Sequence, residues 1–333
     1  MTRKQRVEIA LNHKMPDKAP YNIELTSQAL EQFCQYSGTS PDMYFETAGN
    51  HIEKCGYNGG EYVSPGMFRD EFGVMWDRTG IDKDIGNVCE YLLSEANVDN
   101  YVFPEADLRE INLVTQKMVD NNKDTYKLGK IGMALFERAW SLRGMENLMC
   151  DFFMEEVFVQ ELFDKILEYN LTIVNEALKF DIDGFYFGDD YGMQTGLIFS
   201  PETFKKYIKP CLKKLFEPIK SKGKKVMLHS CGNIEKILPN LIEIGLDVYQ
   251  TVQPEIYDLK KLKREFGEDL SFWGGISTQQ ALPYLKPDKV HSLVSETVEI
   301  LGENGGYICG PTHQVPPDVP PENIEAMINA LKL

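Results

Sequence analysis

From residue 183 onward, short apolar runs alternate with amphipathic segments that open on proline or stop at glycine. Asp183–Gly188, Lys225–His229, Val248–Val252, Leu270–Trp273 and Tyr307–Cys309 read as buried strands. Between them, Asn233–Ile244 predicts a helix stopped by Gly245, and Leu259–Phe266 one stopped by Gly267. Pro287–Leu301 and the segment opened by Pro321 predict two more. Ser200 can cap a further helix with Pro201 in its first turn. Its apolar face holds Phe204, Tyr207, Ile208, Cys211, Leu212 and Leu215, and Pro210 predicts a kink. Repeated β-then-α units require parallel strands joined by right-handed crossovers. A closed barrel and a doubly wound sheet both satisfy that. No Gly-x-Gly-x-x-Gly follows the first strand, which argues against a dinucleotide-binding sheet. The polar residues gather just past the strands, at Asp189 and Asp190, His229 and Cys231, Gln250 and Gln253, Gly274 and Gly275, and Cys309. A (β/α)8 barrel keeps its active site there.

The N-terminal third is less regular. Ala19–Leu25 is the candidate first strand, and Lys127–Leu135 another barrel strand. Glu71–Asp77 reads as a short strand inside a long insertion that could serve as a lid. No repeat, low-complexity run or linker divides the chain. The expectation is an α/β chain, a (β/α)8 TIM barrel with an irregular N-terminal extension or insertion, as one domain over residues 1–333.

Charge narrows the partners. Against 35 Lys and Arg stand 51 Asp and Glu, a formal charge of −16. Such a surface repels nucleic acid and anionic membranes, and a large anionic substrate would need a local basic pocket. No window is long and apolar enough to span a bilayer. The seven cysteines are scattered and odd in number, which together with the charged N-terminus predicts a reduced, cytoplasmic protein.

The chemistry centres on His229 and Cys231. Side chains two apart share a face in extended chain, so one cation can meet both. Cys309, past another short β-like run, is the candidate third ligand. One imidazole and two thiolates make a Zn²⁺ site with an open fourth position, as in catalytic zinc. Of the adjacent Asp189 and Asp190, only one should face the site, as a substrate-orienting or proton-handling carboxylate; a helix cap is the bland alternative. Glu137 is a candidate site acid, set against a salt bridge to Arg138 or Arg143. Gln250 and Gln253 are candidates for substrate contact or for bracing a loop. Tyr191, Met193 and Trp140 are candidates for the mouth of the site, with core packing the plainer reading of Trp140. Gly274 and Gly275 predict close backbone approach or unusual φ. His313 reads as an ordinary loop histidine, with a spare ligand or proton donor as the alternative. Cys211, on an apolar helix face, is core.

Several motifs together resemble the uroporphyrinogen decarboxylase superfamily. They are Arg6-Val7 with Pro16–Pro20, Phe199–Phe204, His229–Gly232, Phe272–Ile276 and Pro317–Asn323, in order along nearly the whole chain. The resemblance implies a (β/α)8 barrel. The superfamily divides into decarboxylases, with an arginine-rich stretch after the first strand, and zinc methyltransferases that work with corrinoid proteins. This chain has Asn22–Thr26 at that place, with no arginine and with Glu24. It carries the methyltransferase branch's His-x-Cys as His229 and Cys231, and Cys309 as the remote cysteine. The implied function is methyl transfer between the cobalamin of a corrinoid protein and a small substrate, either a thiol acceptor or a methylated donor as in O-demethylation. Asp189, Asp190 and Glu137 would serve catalysis, and Tyr191, Met193 and Gln253 would serve the cobalamin side. A homodimer is left open. The rivals are a uroporphyrinogen decarboxylase and a zinc-stabilised scaffold that binds a corrinoid protein without turnover.

Overall fold

The computed structural model of the protein describes residues 1–80 and 85–332. Seven parallel strands form one curled sheet: β1 (Ile52–Gly56), β2 (Tyr126–Ile131), β3 (Gly184–Gly188), β4 (Lys225–His229), β5 (Val248–Val252), β6 (Ser271–Ile276) and β7 (Tyr307–Pro311). They neighbour one another in chain order, as expected for successive right-handed crossovers. Tyr21–Leu25 runs beside β7 through two isolated parallel bridges, Tyr21 with Cys309 and Leu25 with Val315. The expected first strand is therefore present as a pair of bridges rather than a ladder.

One period-two pattern organises the sheet. Ile52, Leu128, Tyr186, Met227, Val248, Trp273 and Ile308 meet as an inner apolar layer, with Val7 and Leu11 of the helix Arg3–Leu11 beneath. Residues of the opposite phase, such as Phe185, Phe187, Leu228, Tyr249 and Cys309, pack outward against the helices. Two residues beyond the inner layer stand Lys54, Lys130, Gly188, His229 and Gln250, at the C-terminal ends of their strands. The fold thus aims a set of polar side chains into one cavity.

The sequence reading missed β1. Its charged Ile52–Gly56 does not look like a buried strand, because Lys54 is what fills the interior there. The strand expected over Glu71–Asp77 is divided. Met67–Asp70 and Met75–Asp77 belong to a four-stranded antiparallel sheet, with a turn between them. The Asp70 carboxylate accepts the N–H groups of Phe72 and Val74, and Gly73 takes φ +83. The kink expected at Pro210 is a π-helical turn, Phe204–Ile208, just before the helix Lys209–Ser221. There the extra backbone residue relieves the clash of the proline ring with the preceding turn. The helix expected over Asn233–Ile244 is a 3-10 turn, Glu235–Ile237, followed by a short helix, Leu238–Glu243, that Pro239 opens. Gly274 and Gly275 take φ +123 and +89, and a Cβ on Gly274 would lie 3.0 Å from Thr251 Oγ1.

His51, at the base of β1, is buried with its ring 4.5 Å from that of Tyr21. Burial, then the nearby Arg6 and Arg3 charges, push its pKa down to about 4. The unfolded chain protonates this residue near pH 6.5, so the folded state loses stability as pH falls from there through about 4. The loss should total roughly 3 kcal/mol. Denaturant unfolding across this range should show a correspondingly shallower acid decline in His51→Gln than in the wild type.

Candidate metal centre

The site is a cavity of about 300 Å³ at the C-terminal ends of the strands. His229, Asp190, Glu137, Gln250, Lys54, Tyr186 and Trp273 line it, with the exposed His313 at the rim. His229 ends β4. The chain then turns at Gly232, at φ +78, where a Cβ would fall 2.2 Å from the Gly192 carbonyl carbon. Only glycine fits so close an approach.

Hydrogen bonds fix this turn from three sides. Ser230 N–H donates to the Gln250 carbonyl at 2.6 Å. Gly232 N–H donates to Gln253 Oε1 at 2.8 Å, and Tyr257 Oη donates to the Gly232 carbonyl at 2.9 Å. Cys231 N–H donates to Asp190 Oδ1 at 2.7 Å. The thiol is thereby positioned by backbone rather than by its own rotamer alone.

His229 Nδ1–H donates to Gln250 Oε1, which also accepts the Tyr186 hydroxyl at 2.8 Å. That bond fixes the tautomer and leaves Nε2 as the lone-pair nitrogen. Nε2 lies 3.4 Å from Cys231 Sγ. Two ligands of a tetrahedral zinc, at about 2.0 and 2.3 Å from it, stand roughly 3.5 Å apart, so the pair has the right spacing. A ligand atom of His313 completes the group, all three lying within 4.8 Å of one another. The residues present fit a soft or borderline divalent ion, with two imidazoles and one thiolate. Burial, then the Asp190 and Glu137 carboxylates, push the Cys231 thiol well above its ordinary range. A bound cation reverses that balance and displaces the proton.

Cys309 does not join this group. Ile308 and Gly310 have the inward phase of β7, so Cys309 points outward and is fully buried in the core around Tyr307. Burial pushes its thiol up to about 12. His313 stands beside His229 and Cys231 instead; the sequence favours an ordinary loop histidine there, with a spare ligand as the alternative. The alternation within Tyr307–Pro311 was the signal that could have separated the two.

Asp189 and Asp190 part as expected of adjacent residues. Asp190 lines the cavity, with Oδ1 3.5 Å from His229 Nε2. Asp189 is fully buried and accepts the N–H groups of Leu135, Phe136 and Glu137 at 3.0, 2.9 and 2.7 Å, and the Tyr191 hydroxyl at 2.7 Å. It caps the helix Phe136–Arg143, the bland alternative, and serves the site by holding Glu137 in place. Burial raises its pKa to about 6 against those four donors.

Glu137 faces the cavity. Its expected salt bridge is absent, because Arg138 pairs with Asp70 and Glu71, and Arg143 with Asp151. Burial, then Asp190 and Asp189, raise its carboxyl well above the usual range. Tyr191 is core, fully buried with its hydroxyl on Asp189, and Gln253 braces the Gly232 turn, so neither lines the cavity. Met193 is 52% exposed on the hairpin of Gly192–Met193 and Gly196–Leu197. Trp140 packs against Trp76, at 6.3 Å between rings. Lys54 and Lys130 in the cavity were missed, since charged residues near strand ends carry no period of their own.

This curled parallel sheet, with its polar cluster at the strand ends, defines the class of protein. The uroporphyrinogen decarboxylase (URO-D) family matches residues 89–333, and the chain belongs to it. It is 24% identical over 135 residues to the methylated-thiol–coenzyme M methyltransferase of Methanosarcina mazei. That match takes in 40% of this chain but only 34% of the relative. A solved methyltransferase structure from Methanosarcina mazei superposes with a TM-score of 0.75 at 20% identity, over 100% of this chain and 98% of that one. The fold is shared along the whole length.

Elemental analysis should find metal at wild-type stoichiometry in Cys309→Ala. His313→Ala should bind it more weakly by on the order of a hundredfold, and Cys231→Ala more weakly still. Asp189→Ala should cost about 3 kcal/mol in denaturant unfolding, because three helix N–H groups lose a buried charged acceptor. Asp190→Asn should unfold close to wild type.

Proposed function

We propose that the protein is a zinc-dependent methyltransferase that moves a methyl group between a small substrate and the cobalamin of a corrinoid protein. The observation that carries this reading is the His229–Cys231–His313 group, set for a metal inside the cavity of a URO-D family fold. The relative that acts on methylated thiols supports it. On this reading Tyr21–Leu25 supplies the eighth strand of a closed (β/α)8 barrel, and residues 1–333 form one domain. The decarboxylase reading asks the cavity to hold a polycarboxylate macrocycle. A space of about 300 Å³, with Glu24, Glu137 and Asp190 on its walls and no arginine, suits that poorly.

Zinc, when bound, supplies Lewis acidity at the substrate heteroatom, and the partner's cobalamin supplies the cobalt that exchanges the methyl group. The chain's own residues do the rest. Gln250 aims His229 Nε2, the Asp190 carboxylate and the Gly232 turn hold Cys231, and Glu137 offers a carboxyl group within the cavity. Exchanging one thiolate for the His313 imidazole leaves the bound cation one unit more positive. That favours polarising a methylated oxygen, nitrogen or sulfur over keeping a thiolate nucleophilic, so demethylation of the small substrate is the proposed direction. Exposed Met193 remains a candidate contact for the corrinoid partner.

Zinc-loaded protein mixed with cob(I)alamin and a panel of methoxylated aromatics, methylamines and methyl thioethers should give methylcobalamin with at least one donor, read from the cobalt spectrum. Glu137→Gln should slow that conversion by on the order of tenfold or more. Uroporphyrinogen decarboxylation with no cobalt change on any donor would overturn the proposal.

A further inference from the structure

A second cavity, about 670 Å³, lies outside β1. Asn22, Glu24, Lys54 and Lys130 line both cavities, so a single layer of side chains separates them. The wall there is not a β ladder. His51 N–H donates to the Tyr21 carbonyl at 3.1 Å, and past it Ile52 N–H donates to Asn22 Oδ1 at 3.3 Å and Ile23 N–H to Asn50 Oδ1 at 2.9 Å, so side chains take over where the backbone bonding stops. Beyond Asn22 the partition is the Glu24–Lys54 ion pair, 2.6 Å long, with Lys54 Nζ over the Tyr186 ring at 4.3 Å. Burial works against the Glu24 charge, and the Lys54 and Lys130 ammoniums overcome it.

The outer cavity is locally positive in a chain of net charge −16. Lys54, Lys117, Lys123 and Lys130 face it, against Glu24 and Glu53. Lys54 is paired with Glu24, and Lys123 with Glu53 and Glu46. Among the described residues, Lys117 and Lys130 take part in no ion pair. One unpaired lysine thus stands in the outer cavity and the other on the partition. A concave, positive spot inside a negative field concentrates small anions.

We propose that the outer cavity is a binding vestibule for a small anionic molecule, and that the Glu24–Lys54 contact is the side passage from it to the metal cavity. A small ligand could then reach the site while a partner protein covers the strand ends. The inference rests on the proposed metal site and goes beyond it in naming a second route and the charge of what travels along it. Long, unbranched Lys54 and Glu24 can swing aside without moving backbone, and an arriving anion competes with Glu24 for Lys54 and Lys130.

Cobalt(II)-loaded protein gives a test that needs no turnover, since a thiol binding the metal adds a sulfur-to-cobalt absorption. The probes are 3-mercaptopropionate, 2-mercaptoethanol and cysteamine, followed by stopped flow. Lys117→Glu should slow 3-mercaptopropionate association by roughly tenfold, leave 2-mercaptoethanol unchanged, and lose its effect near about 0.5 M salt. Gly56 lines the outer cavity, and a Cβ there meets nothing within 4 Å. Gly56→Trp should therefore plug the vestibule and slow association and dissociation together, by about tenfold, with Kd unchanged. Val114→Trp serves the same purpose should Gly56→Trp fail to fold. Wild-type rates in Lys117→Glu and in the plugged variant would overturn the inference while leaving the metal reading intact. No spectral change with any of the three thiols in protein that shows the Cys231-to-cobalt absorption would also overturn the inference, whereas absence of that intrinsic absorption after cobalt loading would sink the metal reading, and this inference with it.

Discussion

Which strand side chains reach the site follows from the phase of the strands. Alternate residues of a strand face opposite sides, so fixing one residue in the inner layer fixes all the others. Met227 inside puts His229 inside, and Val248 inside puts Gln250 beside it. Ile308 inside turns Cys309 out, however suitable its chemistry. The loop beyond β7, which is free of the alternation, then brings His313 beside His229 and Cys231 at the rim of the cavity.

Phase alone does not give a site. The ligands must also be held still, and here the supporting residues are largely buried. Gln250 fixes the His229 ring, and the Gly232 turn is tied to Gln253, Tyr257 and the backbone of β5. Asp189 secures the first turn of the helix that carries Glu137. A side chain whose supports are themselves hydrogen-bonded and packed has few rotamers open to it, which is what binding a metal with defined geometry requires.

Charges of both signs line the cavity. Asp190 and Glu137 stand near His229 and Cys231, where negative charge suits a cation. Lys54 and Lys130 line the same space, with Lys54 paired to Glu24. The aromatic rings of Tyr186 and Trp273 lie under Lys54 and form an apolar floor. One small volume therefore holds carboxylates and ammonium groups together.

The sequence by itself determined the strand-and-helix alternation of the second half, the parallel sheet that alternation requires, and the pairing of His229 with Cys231. These are local consequences of period and spacing. It also determined that adjacent Asp189 and Asp190 would part, though not which would enter the cavity. Tertiary structure decided what depends on phase and on contacts between distant segments. It made Cys309 core and brought His313 beside His229 and Cys231. It made Asp189 a cap, because the helix it serves begins more than fifty residues earlier in the chain. It left Tyr191 and Gln253 as supports, since their hydrogen bonds are spent on Asp189 and Gly232. It made a strand of the charged Ile52–Gly56, because the interior of the sheet accommodates Lys54 only where Glu24, Tyr186 and Trp273 already surround it. No local signal encodes such a partner set, and so none of these could be read one segment at a time.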